Sequence, residues 1–199
     1  MNIGIVNIGL GNIASVANAV SKIGMNPKIF DKPEQTINFD AIILPGVGAF
    51  PSAMHSLKEL NFDEAIYNYV KTGKVLVGIC LGMQLILSES DEIKKTKGLN
   101  LIPGQVKSLN NITNYAVPHI GWNNIETDKD DFKDYEGDYY FVHSYYCKLK
   151  SDKNLLFKCN YENDFAAAIF SDAIYGLQFH PEKSQSLGLS LLKKCLRSC

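Results

Sequence analysis

Apolar positions in the first eighty residues alternate between two patterns. Short runs rich in β-branched side chains at 3–6, 27–30, 40–44 and 74–79 predict buried strands. Between them, residues 12–23 place Ile13, Val16, Ala17, Val20 and Ile23 at helical spacing and stop at Gly24, and 52–60 and 63–72 also read as helices. Strand and helix in strict alternation predict an α/β fold, with a mostly parallel central sheet and helices on both faces. The second half is denser in short strands, at 105–109, 122–125, 139–145, 155–158, 166–170 and 174–179, the last two flanking Ser171-Asp172-Ala173 as a hairpin. Residues 184–196 predict a closing helix, and the polar stretch 127–138 a surface excursion. With no repeat and no linker, 1–199 reads as one domain.

Composition narrows the function classes. Of 199 residues 46% are hydrophobic, enough for a sizeable core. A net charge of −1 and a pI near 6.4 favour neither nucleic acid nor a membrane surface as partner. No stretch approaches the roughly 18 apolar residues of a membrane helix, and the N-terminus lacks a leader pattern, so a cytoplasmic protein is expected. The five cysteines, Cys80, Cys147, Cys159, Cys195 and Cys199, lack framework spacing and suit reduced thiols. Four histidines and no C-x-x-C argue against a zinc site, and neither metal nor cofactor is expected.

Three motifs carry candidate chemistry. In LVGICLGMQ, residues 76–84, Cys80 stands where a strand runs into a helix, with Gly78 and Gly82 spaced as in the G-x-S-x-G turn of hydrolases. Such a turn exposes its central side chain; the alternative is a buried structural cysteine. In GLQFHPEKS, residues 176–184, His180 and Glu182 fall two apart at a predicted strand end, where period 2 puts both on one side. A carboxylate there can orient the imidazole, which can take the thiol proton and return it to a leaving amine; the alternative is an incidental ion pair. H-x-E also begins the zinc-deaminase signature, but its P-C-x-x-C is missing. In PGVGAF, residues 45–50, a glycine-rich loop follows the third strand, so Val47 or Gly48 can offer an amide to an oxyanion together with that of Leu81. A competing fingerprint is GLGNIA, residues 9–14, which fits the dinucleotide pattern with Asp31 at the end of the next strand and would make the chain an oxidoreductase.

Taken together, GLGN, LPGVGAF, GICLGMQL, VPHIGWN, YYFVHSYY and GLQFHPEKS resemble the class I (triad-type) glutamine amidotransferases over essentially the whole chain, and among them the glutaminase subunits of imidazole glycerol phosphate synthases. The resemblance implies a triad of Cys80, His180 and Glu182, with oxyanion contacts from the PGVG loop. It further implies that Gln84, Ser144 and Tyr145 hold the amino and carboxylate ends of L-glutamine. Asn12, Trp122, Tyr140 and Lys183 would face a partner, a (β/α)₈-barrel synthase (cyclase) subunit in a heterodimer serving histidine biosynthesis. Two positions depart from the family pattern. Asn7-Ile8 stand where an acidic residue and a tyrosine are usual, and Tyr161-Glu162 where Tyr-Gly is common. They leave room for a paralogue feeding ammonia to another acceptor, such as an amidino-sugar precursor.

Overall fold

In the computed structural model, which describes residues 1–198, the N-terminal half lays down four parallel strands. They are β1 (Asn2–Val6), β2 (Asn26–Phe30), β3 (Ala41–Gly46) and β4 (Val75–Cys80), with helices α1 (Ile13–Lys22), α2 (Phe50–Glu59), α3 (Phe62–Lys71) and α4 (Leu81–Leu85) between and after them. Cys199, one of the thiols expected to be reduced, lies outside the described residues. Local chemistry marks the boundaries: the Asn12 side chain caps α1 by accepting from Ser15 N at 3.3 Å, and Gly24 ends it at φ +78°.

The second half contributes β5 (Glu89–Ser90), β6 (Thr96–Lys97), β7 (Gly104–Ser108), β8 (His119–Glu126), β9 (Gly137–His143) and β10 (Tyr145–Leu149). β11 (Leu155–Tyr161), β12 (Asn163–Ser171), β13 (Ile174–Leu177) and helix α5 (Gln185–Leu196) complete it. The large sheet runs β2-β1-β3-β4-β13-β12-β11-β8-β9, parallel from β2 to β13 and antiparallel beyond. A smaller sheet, β10-β7-β5-β6, stands beside it.

Both faces of the parallel half are covered. Val16, Ala19 and Val20 of α1 share one core with Leu191, Leu192 and Cys195 of α5 and with Ile5, Ile43 and Val77 of the strands. Phe50, Met54 and Leu57 of α2 and Phe62 and Ile66 of α3 form the other with Ile42, Leu44 and Leu76. Alternate strand residues thus serve opposite cores, and each fully buried Ile, Leu or Phe contributes roughly 1.5–3 kcal/mol.

Two expected elements differ. Residues 139–145, read as one strand, split at Ser144 into β9 of the large sheet, where Tyr139, Phe141 and His143 alternate inward, and β10 of the small one, where Tyr146 and Cys147 are both buried. The strand read over 174–179 ends at Leu177, and Pro181 opens a single 3₁₀ turn instead. The excursion at 127–138 carries a 3₁₀ turn at Asp130–Tyr135. The loops after β1, β3, β4 and β13 all leave the carboxyl edge of the parallel strands, where open α/β sheets place their sites.

Candidate active site

Cys80 is the last residue of β4 and its backbone is strained, with φ 54° and ψ −110°. A β-carbon on Gly82 would lie 1.8 Å from the Leu44 carbonyl oxygen, and one on Gly78 would lie 2.6 Å from that of Gly82. The two glycines therefore let the start of α4 sit against β3 and β4, and this packing holds a conformation that costs a non-glycine residue about 1–3 kcal/mol. Gln178 Nε2 lies 3.9 Å from Sγ, and Sγ lies 4.0 Å from the Val142 carbonyl oxygen.

His180 and Glu182 approach from the loop after β13. The His180 amide donates to Tyr140 O at 2.9 Å, while the Ser184 hydroxyl donates to His180 O at 2.7 Å and accepts from Tyr140 N at 3.0 Å. Ser184 thus ties the turn at Pro181–Lys183 to β9, a role no motif announced. The pair meets Nδ1 to Oε1 at 2.7 Å, with both side chains nearly inaccessible. Their proximity comes from the 3₁₀ turn rather than from strand alternation: the turn brings the Glu182 carboxylate to Nδ1. Burial lowers the His180 pKa, but hydrogen bonding and charge interactions with Cys80 and Glu182 outweigh it and raise it to about 9. Nδ1 is taken by Glu182, so Nε2 is the nitrogen left to interact with Cys80. Of the other described cysteines, burial pushes the Cys159 and Cys195 thiols up to about 12 and raises Cys147 too, which leaves them poor nucleophiles near neutral pH.

Cys80 and His180 open on a cleft of about 360 Å³. Val47, Gly48 and Leu81 line it, with Gly48 at φ +103° and Leu81 opening α4. Gln84, Ser144 and Tyr145 line it as well. Gln84 is buried and its amide donates to Tyr145 O and Gln178 Oε1, each at 3.2 Å. Glu92 was missed by sequence reasoning. It lines the same cleft, and its Oε2 accepts from Phe50 N at 2.8 Å, so it also caps α2. It stands in a polar stretch with no motif; only its acidity marks it.

Three of the four residues expected at a partner surface cluster, with Trp122 and Lys183 exposed and Tyr140 half-buried. The Trp122 and Tyr140 rings meet edge to face at 6.0 Å, and Lys183 Nζ lies 5.6 Å from the Tyr140 ring centroid. Trp122 is 48% exposed, too open for a core tryptophan. Asn12, also exposed, is the cap of α1.

The family model described as glutamine amidotransferase class-I matches residues 5–199. The chain belongs to this family. Relatives of the amidotransferase include proteins described as imidazole glycerol phosphate synthase subunit HisH. That of Methanosarcina barkeri is 43% identical over 202 residues, covering 98% of each chain. That of Halalkalibacterium halodurans is 41% identical over 199 residues, covering 96% of this chain and 93% of the relative. Among solved structures, a glutamine amidotransferase aligns with a TM-score of 0.79 at 16% identity, over 98% of this chain and 97% of that one. The structure of PurLQS from Thermotoga maritima aligns at 0.74 and 16% identity, over 99% and 96%. At such identities the structures speak for the fold alone.

The amidotransferase's two departures from the family pattern lie in turns. Asn7 Oδ1 accepts from Gly9 N at 3.1 Å, shaping the loop after β1. Glu162 occupies the turn between β11 and β12 at φ 68°, a left-handed position that suits glycine, and its carboxylate accepts from the Asn114 side chain at 3.1 Å.

Proposed function

We propose that residues 1–199 form one glutaminase domain that hydrolyses L-glutamine to glutamate and ammonia. Cys80, as thiolate beside the His180 imidazolium, attacks the side-chain amide carbon. The oxyanion rests on the amides of Leu81 and of Val47 or Gly48. His180 Nε2–H protonates the departing nitrogen, ammonia leaves, and a thioester remains. His180 then takes a proton from water, whose oxygen attacks the thioester; glutamate departs and the thiolate is restored. Glu182 fixes the tautomer and stabilises the imidazolium. Gln84, Ser144 and Tyr145 hold the amino-acid end, and Glu92, whose carboxylate lines the cleft, suits the α-ammonium group.

The observation that carries this reading is a raised-pKa histidine, backed by a buried carboxylate, facing a strained cysteine in one cleft. The HisH relatives support a synthase subunit as receiver of the ammonia, a (β/α)₈ barrel docked around Asn12, Trp122, Tyr140 and Lys183 in a cytoplasmic heterodimer that forms imidazole glycerol phosphate, a lyase step of histidine biosynthesis. The dinucleotide reading has a strand–turn–helix context for GLGNIA, with Asp31 just past β2, but neither lines this cleft. The test is Cys80→Ser, assayed with the synthase partner. Glutamine-dependent turnover is lost while complex formation and ammonia-dependent turnover persist. Undiminished glutamine use by this variant would refute the assignment.

A further inference from the structure

Two buried histidines have no part in the proposed chemical steps. His119 opens β8, His143 closes β9, and the two are direct cross-strand partners. Their hydrogen bonds dictate their tautomers. The Tyr145 carbonyl lies 2.8 Å from His143 Nδ1, which must carry a hydrogen, so Nε2 of the neutral ring accepts. His119 Nδ1, 3.1 Å from that Nε2, must therefore donate. His119 Nε2 is left to accept from Asn123 Nδ2 at 3.5 Å. All four ring nitrogens are used with both rings neutral. Burial accordingly lowers the His119 pKa to about 4 and that of His143 to about 3.

The chain of contacts continues into the cleft. The Tyr145 carbonyl that His143 holds also accepts from Gln84 Nε2; Gln84 donates to Gln178, and Gln178 reaches Cys80. Ser144 and Tyr145, where the chain crosses from the large sheet to the small one, line the cleft. Packing alone does not call for imidazoles here. The His119 ring is stacked on Phe141 and Tyr161 at 4.9 and 4.1 Å, contacts that an aromatic hydrocarbon can also make. A buried polar network of this kind rigidifies what it touches.

We propose that His119 and His143 are positioning residues: their hydrogen-bond chain holds the Tyr145 carbonyl, and through it the Gln84 amide and the Ser144–Tyr145 crossover, in the arrangement that grips the amino-acid end of glutamine. The proposal rests on the glutaminase reading, and its test separates the two. A glutamine-mimicking diazo-ketone alkylates Cys80 only after occupying the amino-acid subsite, whereas iodoacetamide needs the thiol alone. Inactivation is measured in the complex with the synthase partner for the parent, His119→Phe, His119→Gln, which places its amide on the Nε2 side, and His119→Asn, which restores the Nδ1-side donor. We expect the Phe and Gln variants to weaken KI for the diazo-ketone about tenfold or more while maximal inactivation and iodoacetamide alkylation of Cys80 stay within about threefold, and Asn to recover most of the affinity. Equal KI in all four proteins would overturn the proposal. So would a parallel loss of iodoacetamide reactivity in both the Phe and Gln variants, because that is general damage to the fold. A parent chain that, in complex with the synthase partner, iodoacetamide labels at Cys80 but the diazo-ketone does not would instead remove the glutaminase reading, and this proposal with it.

Discussion

His180 and Glu182 are two residues apart, and their side chains meet at 2.7 Å across one 3₁₀ turn that Ser184 ties to β9. The short link leaves the carboxylate little freedom, so its charge, more than its tether, is what substitution removes. Glu182→Gln keeps an oxygen for Nδ1–H but no longer stabilises the imidazolium. We expect glutamine turnover to fall by about 10²–10⁴-fold, with ammonia-dependent synthesis by the complex preserved. Parental kcat in this variant would show that Glu182 acts only by holding the ring.

Gly82 carries a second prediction. A methyl group there would collide with the Leu44 carbonyl, which belongs to rigid strand backbone, so α4 must move away from β3. Gly82→Ala is expected to destabilise the fold by about 1–3 kcal/mol. Displacing the thiol by about 1 Å is expected to cut glutamine turnover roughly 10²-fold. Urea unfolding and steady-state assays measure the two effects; parental values for both would mean that the elbow tolerates the shift.

How much of this was legible beforehand depended on whether a local pattern carried it. The elbow at Cys80 and the H-P-E turn were visible because strand, glycine and proline signals coincide there. The break at Ser144 was not, since aromatic residues flank it on both sides and only the pairing of β9 with β8 and β10 with β7 reveals the change of sheet. β5 and β6, two residues each, have no periodicity to read. Glu92 and the His119–His143 pair are long-range juxtapositions of residues that, taken one at a time, are ordinary.

Acid stability follows from the two neutral histidines. Their folded pKa values, about 4 and about 3, lie below the usual 6.5, so their contribution is fully present above pH 6.5 and is lost as pH falls toward those values. Near pH 5 the unfolded chain binds about two more protons at these sites, a slope of roughly 2–3 kcal/mol per pH unit. Urea titrations between pH 7 and 5 should show the decline, and His119→Asn should shed about half of this share of it. A slope unchanged in that variant would contradict the assignment of His119 as a buried neutral imidazole.

The last prediction concerns coupling, and it separates a synthase subunit from a free-standing hydrolase. Val47 is 45% exposed and Gly48 sits at φ +103°, so the loop that must present an amide to the oxyanion is open to solvent and has a glycine hinge. Such a peptide can rest with its carbonyl turned toward the hole, in which case hydrolysis by the isolated chain is slow. The cluster of Trp122, Tyr140 and Lys183 adjoins the His180–Glu182 turn, since Lys183 is the next residue and the His180 amide is bonded to the Tyr140 carbonyl. A partner seated there contacts the same elements that carry the proposed base, and it can shift the loop population by binding one state better than the other. Each tenfold stimulation requires about 1.4 kcal/mol of lowered barrier, within reach of one redirected amide dipole. Glutaminase turnover is therefore measured for the chain alone, with the proposed synthase partner, and with partner plus acceptor ligand. We expect a stepwise rise that is lost in Trp122→Ala or Lys183→Ala while the complex still forms. Equal and fast turnover in all three states would identify a hydrolase that needs no synthase.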